Sequence, residues 1–184
     1  SIARRQRQMC IRDRDVIVVD HHLAGPELPR AHSVINPNRL DEDGAYGHLC
    51  AAGVVFILLV ALLRELRRRG AFEGGRQAPD LMRQLDLVGL ATVCDVVPLR
   101  GINRAFVGQG LKMLARRGNI GLACLADVSG LNTPPSGHTF GFMLGPRINA
   151  GGRIGCSDLG VRLLSTQSGC LLYTSPSPRD RTTA

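Results

Sequence analysis

The apolar positions of the chain fall into patterned stretches separated by polar connectors. Val16-Ile17-Val18-Val19 is a short β-branched run of the kind that forms a buried parallel strand, and it stops at Asp20-His21-His22. Pro26, Pro29 and Asn36-Pro37-Asn38 then punctuate a polar segment, so residues 23–46 are expected to be loop or short irregular structure. From His48 to Arg69 the pattern predicts a long helix, apolar nearly all round as far as Leu63 and basic at Arg67-Arg68-Arg69. A basic last turn followed by Gly70 suits a helix end, where cations meet the dipole and glycine takes the left-handed cap. The apolar run from Leu49 to Leu63 is shorter than a bilayer span and contains Gly53, which predicts a buried helix and no membrane anchor.

Residues 70–80 read as a connector. Asp80 to Thr92 is expected to be helical, with Leu81, Leu85, Val88 and Leu90 on its apolar face, and Val93 to Leu99 to break that helix. Asn103 to Arg117 predicts a further amphipathic helix with Phe106, Val107, Leu111 and Leu114 inward and Gly118 stopping it. A Pro/Gly/Ser loop around Asn132 to Gly137 leads into a glycine-dense stretch, Phe140 to Gly155. There is no internal repeat. Helices following strands point to an α/β architecture. The two ends, residues 1–14 and 170–184, show no apolar periodicity and resemble translated adapter sequence, so they are expected to be a non-native leader and tail.

Composition changes the picture little. With 44% hydrophobic residues the chain can bury a core, but aromatics are only 4% and Trp is absent, so that core must be Leu, Val, Ile and Ala. The net charge of +8 suggests a polyanionic partner until its location is considered. Five arginines against Asp13 lie in residues 1–14, and two against Asp180 lie in 170–184, which leaves the interior at +3. Bulk charge is therefore a weak pointer to nucleic acid. Cys10, Cys50, Cys94, Cys124, Cys156 and Cys170 are scattered without a close pair, which argues against structural zinc and for free thiols in the cytoplasm. No signal-peptide pattern is visible.

Three stretches could carry chemistry. Asp20-His21-His22 stands just past the carboxyl end of a strand, where functional groups converge in open α/β sheets. One imidazole there can bind a metal while the carboxylate fixes a tautomer, and the other can donate to a phosphate oxygen; the alternative is a solvated polar strand end. Asp95 lies between apolar Val93-Cys94 and Val96-Val97-Pro98-Leu99, so its charge needs a metal, an arginine or a helix N-terminus, a plain cap being the alternative. Gly145 to Arg153 combines glycines with Arg147, Asn149 and Arg153, which suits phosphate binding, or else a structural turn with two surface arginines.

Together, in this order, the three stretches resemble the DHH phosphoesterases, and among them the RecJ-type single-strand DNA exonucleases. Asp20-His21-His22 is similar to the motif that names the family; Leu90 to Leu99 with Asn103-Arg104 resembles the RecJ segment bearing a further metal-binding aspartate; Gly145 to Arg153 resembles its Arg/Asn-rich signature. Asn36-Pro37 and Ala51-Ala52-Gly53-Val54 fit the same family, and the likeness spans roughly residues 15–169. The resemblance implies an α/β fold: the C-terminal part of a DHH-type parallel-sheet domain over 15–69, a connector over 70–80, and a helical segment over 81–169 that begins a second α/β domain. It implies a two-metal site taking Mn2+ or Mg2+, with His21 and Asp95 as ligands of one ion, Asp20 orienting the histidines and His22 facing the scissile phosphate. Arg147, Asn149 and Arg153 would contact DNA phosphates. The implied function is 5′→3′ degradation of single-stranded DNA in repair and recombination. The alternatives are a phosphodiesterase for short oligonucleotides or cyclic dinucleotides, and a non-catalytic single-strand-binding relative. The family's earlier carboxylate motifs have no counterpart in residues 1–14, and Cys156 stands where a polar or acidic residue is expected, so the chain as written is expected to lack nuclease activity by itself.

Overall fold

A computed structural model describes residues 15–154 and 158–167, with only the backbone course given for 152–154. The chain divides into two compact units, Ser1–Ala78 and Pro79–Ala184.

The first unit is built on two parallel strands, β1 (Ile17–Val19) and β2 (Ser33–Ile35), in the register Ile17↔Ser33, Val18↔Val34, Val19↔Ile35. β1 is where the β-branched run predicts it. β2 falls inside 23–46, expected to be loop, and it forms because its pairing is non-local: His32 N–H donates to Val16 O and Asp20 N–H to Ile35 O. A run of three residues ending at Asn36-Pro37 carries too little pattern to announce itself. Nor is β1 fully buried. Parallel strands need elements on both faces, and with two strands and one helix in the described part of this unit, Ile17 stays 59% exposed.

Helix α1 (Ala51–Arg68) starts after buried Leu49 and Cys50 and turns Gly53, Val54, Phe56 and Leu63 inward. Val55, Val60 and Leu62 face outward, so the helix predicted to be buried all round is covered on one face only. Its end is capped as the sequence suggests. Gly70 takes φ +70°, its N–H donates to Arg67 O, and Ala71 N–H donates to Leu66 O, the paired bonds of a Schellman turn. Glu65 ties down Arg68 and Arg69 at 2.7 Å each, and the hydrogen bonds from these two arginines hold its carboxyl below the ordinary value. Among the described residues no helix is long and apolar enough to cross a membrane.

In its described residues the second unit is helical. A 3-10 turn (Leu81–Gln84), capped by the Asp80 carboxylate on Met82 N–H, leads into α2 (Leu85–Cys94). There follow α3 (Gly101–Ala115), α4 (Ile120–Val128), a π-helical turn (Thr139–Leu144), α5 (Gly145–Ile154) and α6 (Leu159–Ser165). The helix over Asp80 to Thr92 thus runs on through Cys94, two residues into the stretch expected to break it. The core is Leu90, Val107, Leu114, Leu122, Leu125, Ala126, Phe140 and Leu144. Leu111, expected inward, packs half-buried against it. Helices α2 and α3 approach through facing glycines: a Cβ on Gly110 would stand 2.5 Å from Leu85 O and 3.1 Å from the Gly89 Cα. Helix α3 ends at Ala115, and Arg117 in the turn after it takes φ +56° ahead of the predicted stop at Gly118.

One buried charge stands out in this unit. Asp86 is 1% exposed in the first turn of α2, where its carboxylate accepts Leu87 N–H at 2.8 Å. Burial pushes its carboxyl above the ordinary value of 3.8. A raised folded-state value means that the favourable protonated form is fully present below the unfolded value and lost as pH rises through the folded one. Asp86→Asn is therefore expected to raise the unfolding midpoint at pH 7, with the gain shrinking as pH falls toward 3.8. Thermal melts of both proteins across pH 4–7 check this (about the range set by carboxylate titration); a gain independent of pH would mean that Asp86 is not held against ionisation.

Candidate functional site

Past Val19, β1 leaves its ladder with a final bond, Asp20 N–H to Ile35 O at 3.0 Å. The chain then turns around the Asp20 carboxylate. Its Oδ1 accepts His21 N–H at 2.8 Å and His22 N–H at 3.3 Å, and lies 2.8 Å from His22 Nδ1. The bond to His22 is the main cause that holds the Asp20 carboxyl below its ordinary value; partial burial opposes it and the two amides assist. With the carboxylate ionised the shared hydrogen sits on Nδ1, which leaves Nε2 as the outward nitrogen of a side chain 77% exposed. The two imidazoles are neighbours, with centroids 4.4 Å apart and planes tilted by 52°. Asp20, His21 and His22 are thus brought together at a strand end.

The loop is also gripped from the β2 side. Asn36 Nδ2 donates to His22 O at 2.8 Å, and Asn38 Nδ2 donates to His21 O at 2.6 Å and to Gly47 O at 3.0 Å. Asn36 Oδ1 in turn accepts Asn38 N–H at 2.9 Å, bridging Pro37. Sequence reading passes over these two side chains as loop punctuation. The signal was present in Asn-Pro-Asn directly after an apolar run, since asparagine can bond backbone donors and acceptors at once.

In the second unit Asp95 is the residue that ends α2, its N–H donating to Ala91 O at 2.9 Å. It is exposed, as are Val96, Pro98 and Leu99, so the carboxylate expected to need rescue from an apolar burial stands at a solvent-facing helix end. It is not the cap of α3, whose N-cap is Arg100. Val96 next to it has φ +55° with its side chain 87% exposed. A β-branched residue in the left-handed region costs about 1–3 kcal/mol, and here that conformation sets the turn that carries Asp95. Burial, then the Asp95 charge, push the adjacent Cys94 thiol up, which keeps it protonated and unsuited to act as a nucleophile.

The stretch from Gly145 to Arg153 lies in helix α5, continuous with the π-helical turn, where a structural turn was the alternative to phosphate binding. Close packing accounts for the glycine at its start. A Cβ on Gly145 would lie 2.4 Å from Cys94 Sγ. Arg147 is exposed, with Nη1 donating to Met143 O at 2.7 Å, and Asn149 is exposed. Two residues apart on a helix, they point to different sides. The side chain of Arg153 and all of Cys156 lie outside the described residues, as do the leader 1–14 and the tail 170–184.

Among the described residues no three or more His, Cys, Asp or Glu side chains gather closely enough to hold a metal ion. The donors that the Asp20–His22 loop does assemble are carboxylate oxygen and imidazole nitrogen. That set fits a hard or borderline divalent ion such as Mn2+ and supplies part of the six ligands it prefers.

Comparison with known proteins gives this geometry its context. Residues 4–91 match the family model described as DHH family, N-terminal domain. Over these residues, just under half of its length, the chain resembles the DHH family. Over four-fifths of its length its relatives are RecJ exonucleases. It is 43% identical over 152 residues to the single-stranded-DNA-specific exonuclease RecJ of Dickeya dadantii, 44% over 154 to that of Salmonella typhimurium and 42% over 152 to that of Escherichia coli. Each match covers 81% of this chain and 26% of the relative, so the chain spans about a quarter of the length of these proteins. Among solved structures it resembles exonuclease RecJ bound to manganese, with a TM-score of 0.69 at 35% identity, covering 85% of this chain and 37% of that one. It also resembles RecJ in complex with Mn2+ from Thermus thermophilus, with a TM-score of 0.72 at 34% identity, covering 89% and 23%. These likenesses agree with the family and the α/β fold implied by the three sequence stretches.

Proposed function

We propose that this chain contributes part of the active site of a divalent-metal-dependent exonuclease that degrades single-stranded DNA from its 5′ end, in the cytoplasm, during repair and recombination. The observation that carries the proposal is the Asp20 carboxylate gripping His22 Nδ1 and both following amides at the end of a parallel strand, in a chain that resembles the DHH family. His21 and Asp95 are the metal ligands in this reading. Mn2+ is favoured over Mg2+, because an imidazole ligand suits manganese while magnesium prefers oxygen donors and its own waters. When bound, such an ion lowers the pKa of water and neutralises charge on the phosphate.

The chain's own residues do the rest. Asp20 occupies Nδ1 of His22, so the ring meets the scissile phosphate through Nε2 and donates there when it carries both protons. Arg147, Asn149 and Arg153 hold phosphates of the DNA strand, with Arg147 anchored by its bond to Met143 O and free to turn its remaining N–H groups outward.

The test uses the full-length gene product that carries this segment, given end-labelled single strands with Mn2+ or with chelator. Asp95→Ala is expected to lower metal-dependent nucleotide release about a thousandfold, since a metal contributes several kcal/mol to the transition state. Release at the parent rate from Asp95→Ala, or release that survives chelator, overturns the reading.

A further inference from the structure

We infer that Asn36 and Asn38 are positioning residues for the two histidines, an inference that rests on the metal reading of His21 given above. Beyond Asp20 the loop has left the β ladder, so the peptide groups of His21 and His22 must find partners elsewhere or remain free to rotate. All four groups are met. The two N–H groups go to Asp20 Oδ1, and the two carbonyls accept Asn38 Nδ2 and Asn36 Nδ2. The His21–His22 peptide is gripped through both its C=O and its N–H, and the peptides before and after it are each held at one group. The direction in which each imidazole leaves the backbone is thereby set.

The asparagines are themselves fixed. Asn36 is 6% exposed, and its Oδ1 accepts Asn38 N–H across Pro37, whose ring locks one backbone angle between them. Asn38 has a further hold on Gly47 O, and its own carbonyl accepts Ala24 N–H at 3.2 Å, closing the far end of the loop. The chemistry requires amides at both positions. An aspartate of the same shape would set oxygen against carbonyl oxygen, and a leucine would leave the histidine carbonyls unpaired. Gly47 belongs to the same device: its backbone angle is ordinary, but a Cβ there would stand 2.4 Å from Asn38 Oδ1 and push the amide aside.

The experiment measures Mn2+ affinity by the disappearance of the free-ion EPR signal, together with kcat, KM and the unfolding midpoint. It is done on the full-length gene product and on its Asn38→Asp, Asn36→Asp, Gly47→Ala and His21→Ala variants. Loss of a group that orients a ligand weakens metal binding about 10- to 100-fold. Asn38→Asp and Asn36→Asp are expected to raise the Kd for Mn2+ by that factor and to lower kcat at fixed Mn2+ with KM for DNA little changed. Excess Mn2+ should restore part of the rate. Gly47→Ala displaces the Asn38 amide without touching the loop, and is expected to shift Kd in the same direction; it decides the matter if an aspartate variant fails to fold. A lower unfolding midpoint with Mn2+ affinity and kcat unchanged overturns the positioning role. If His21→Ala also leaves Mn2+ binding unchanged, it is the metal reading itself that fails.

Discussion

Replacing Phe140 by alanine is expected to destabilise the second unit by about 3–5 kcal/mol, the usual cost of deleting a fully buried aromatic ring. Phe140 is 0% exposed at the centre of the cluster that joins α2, α3, α4 and the π-helical turn. Its Cε2 would lie 3.1 Å from a Cβ on Gly89, so the ring fills the space that the glycine leaves. The ring also belongs to the turn whose continuation, α5, carries Arg147 and Asn149. Thermal unfolding followed by circular dichroism should show a midpoint lowered by more than about 10 °C. A shift of only a few degrees would mean that the helical core is held by other contacts.

The second large effect separates the two histidines. His21→Ala is expected to remove Mn2+ binding and with it about three orders of magnitude in rate, because a metal ligand is lost. His22→Ala should retain Mn2+ and lose about 100-fold in kcat, the usual contribution of a group that exchanges a proton or hydrogen bond with the reacting phosphate. Neither side chain is buried, so both variants should melt near the parent temperature. Equal loss of metal in both would merge the two roles into one and contradict the division proposed here.

Much of this was legible in the sequence, and what was not has physical reasons. β1, α1 and α3 announce themselves because each has enough length or pattern for periodicity to show, and the end of α1 at Gly70 follows from a glycine placed after a basic turn. β2 was hidden because three residues acquire strand character only from a partner elsewhere in the chain. The glycines of Gly145–Ile154 lower its helix propensity, yet it is helical, and Gly145 packs so closely on Cys94 that a side chain there would clash. Asp95 was expected in an apolar setting, but it stands exposed as the cap of α2, beside a Val96 in the left-handed conformation. Asp20, His21 and His22 could be singled out from their place after a strand. The carboxamides that hold them were visible only as an Asn-Pro-Asn motif, because their partners lie 14 and 17 positions earlier in the chain and nothing local names them.

The most direct test of the metal site is electron spin-echo spectroscopy of Mn2+ bound to the full-length gene product. An imidazole ligand imprints its nitrogen coupling on the manganese signal. The coupling should be present in the parent protein and in His22→Ala, and absent from His21→Ala. A nitrogen coupling that persists in His21→Ala, or none in the parent protein, would contradict the assignment of the Asp20–His22 loop as a metal-binding element.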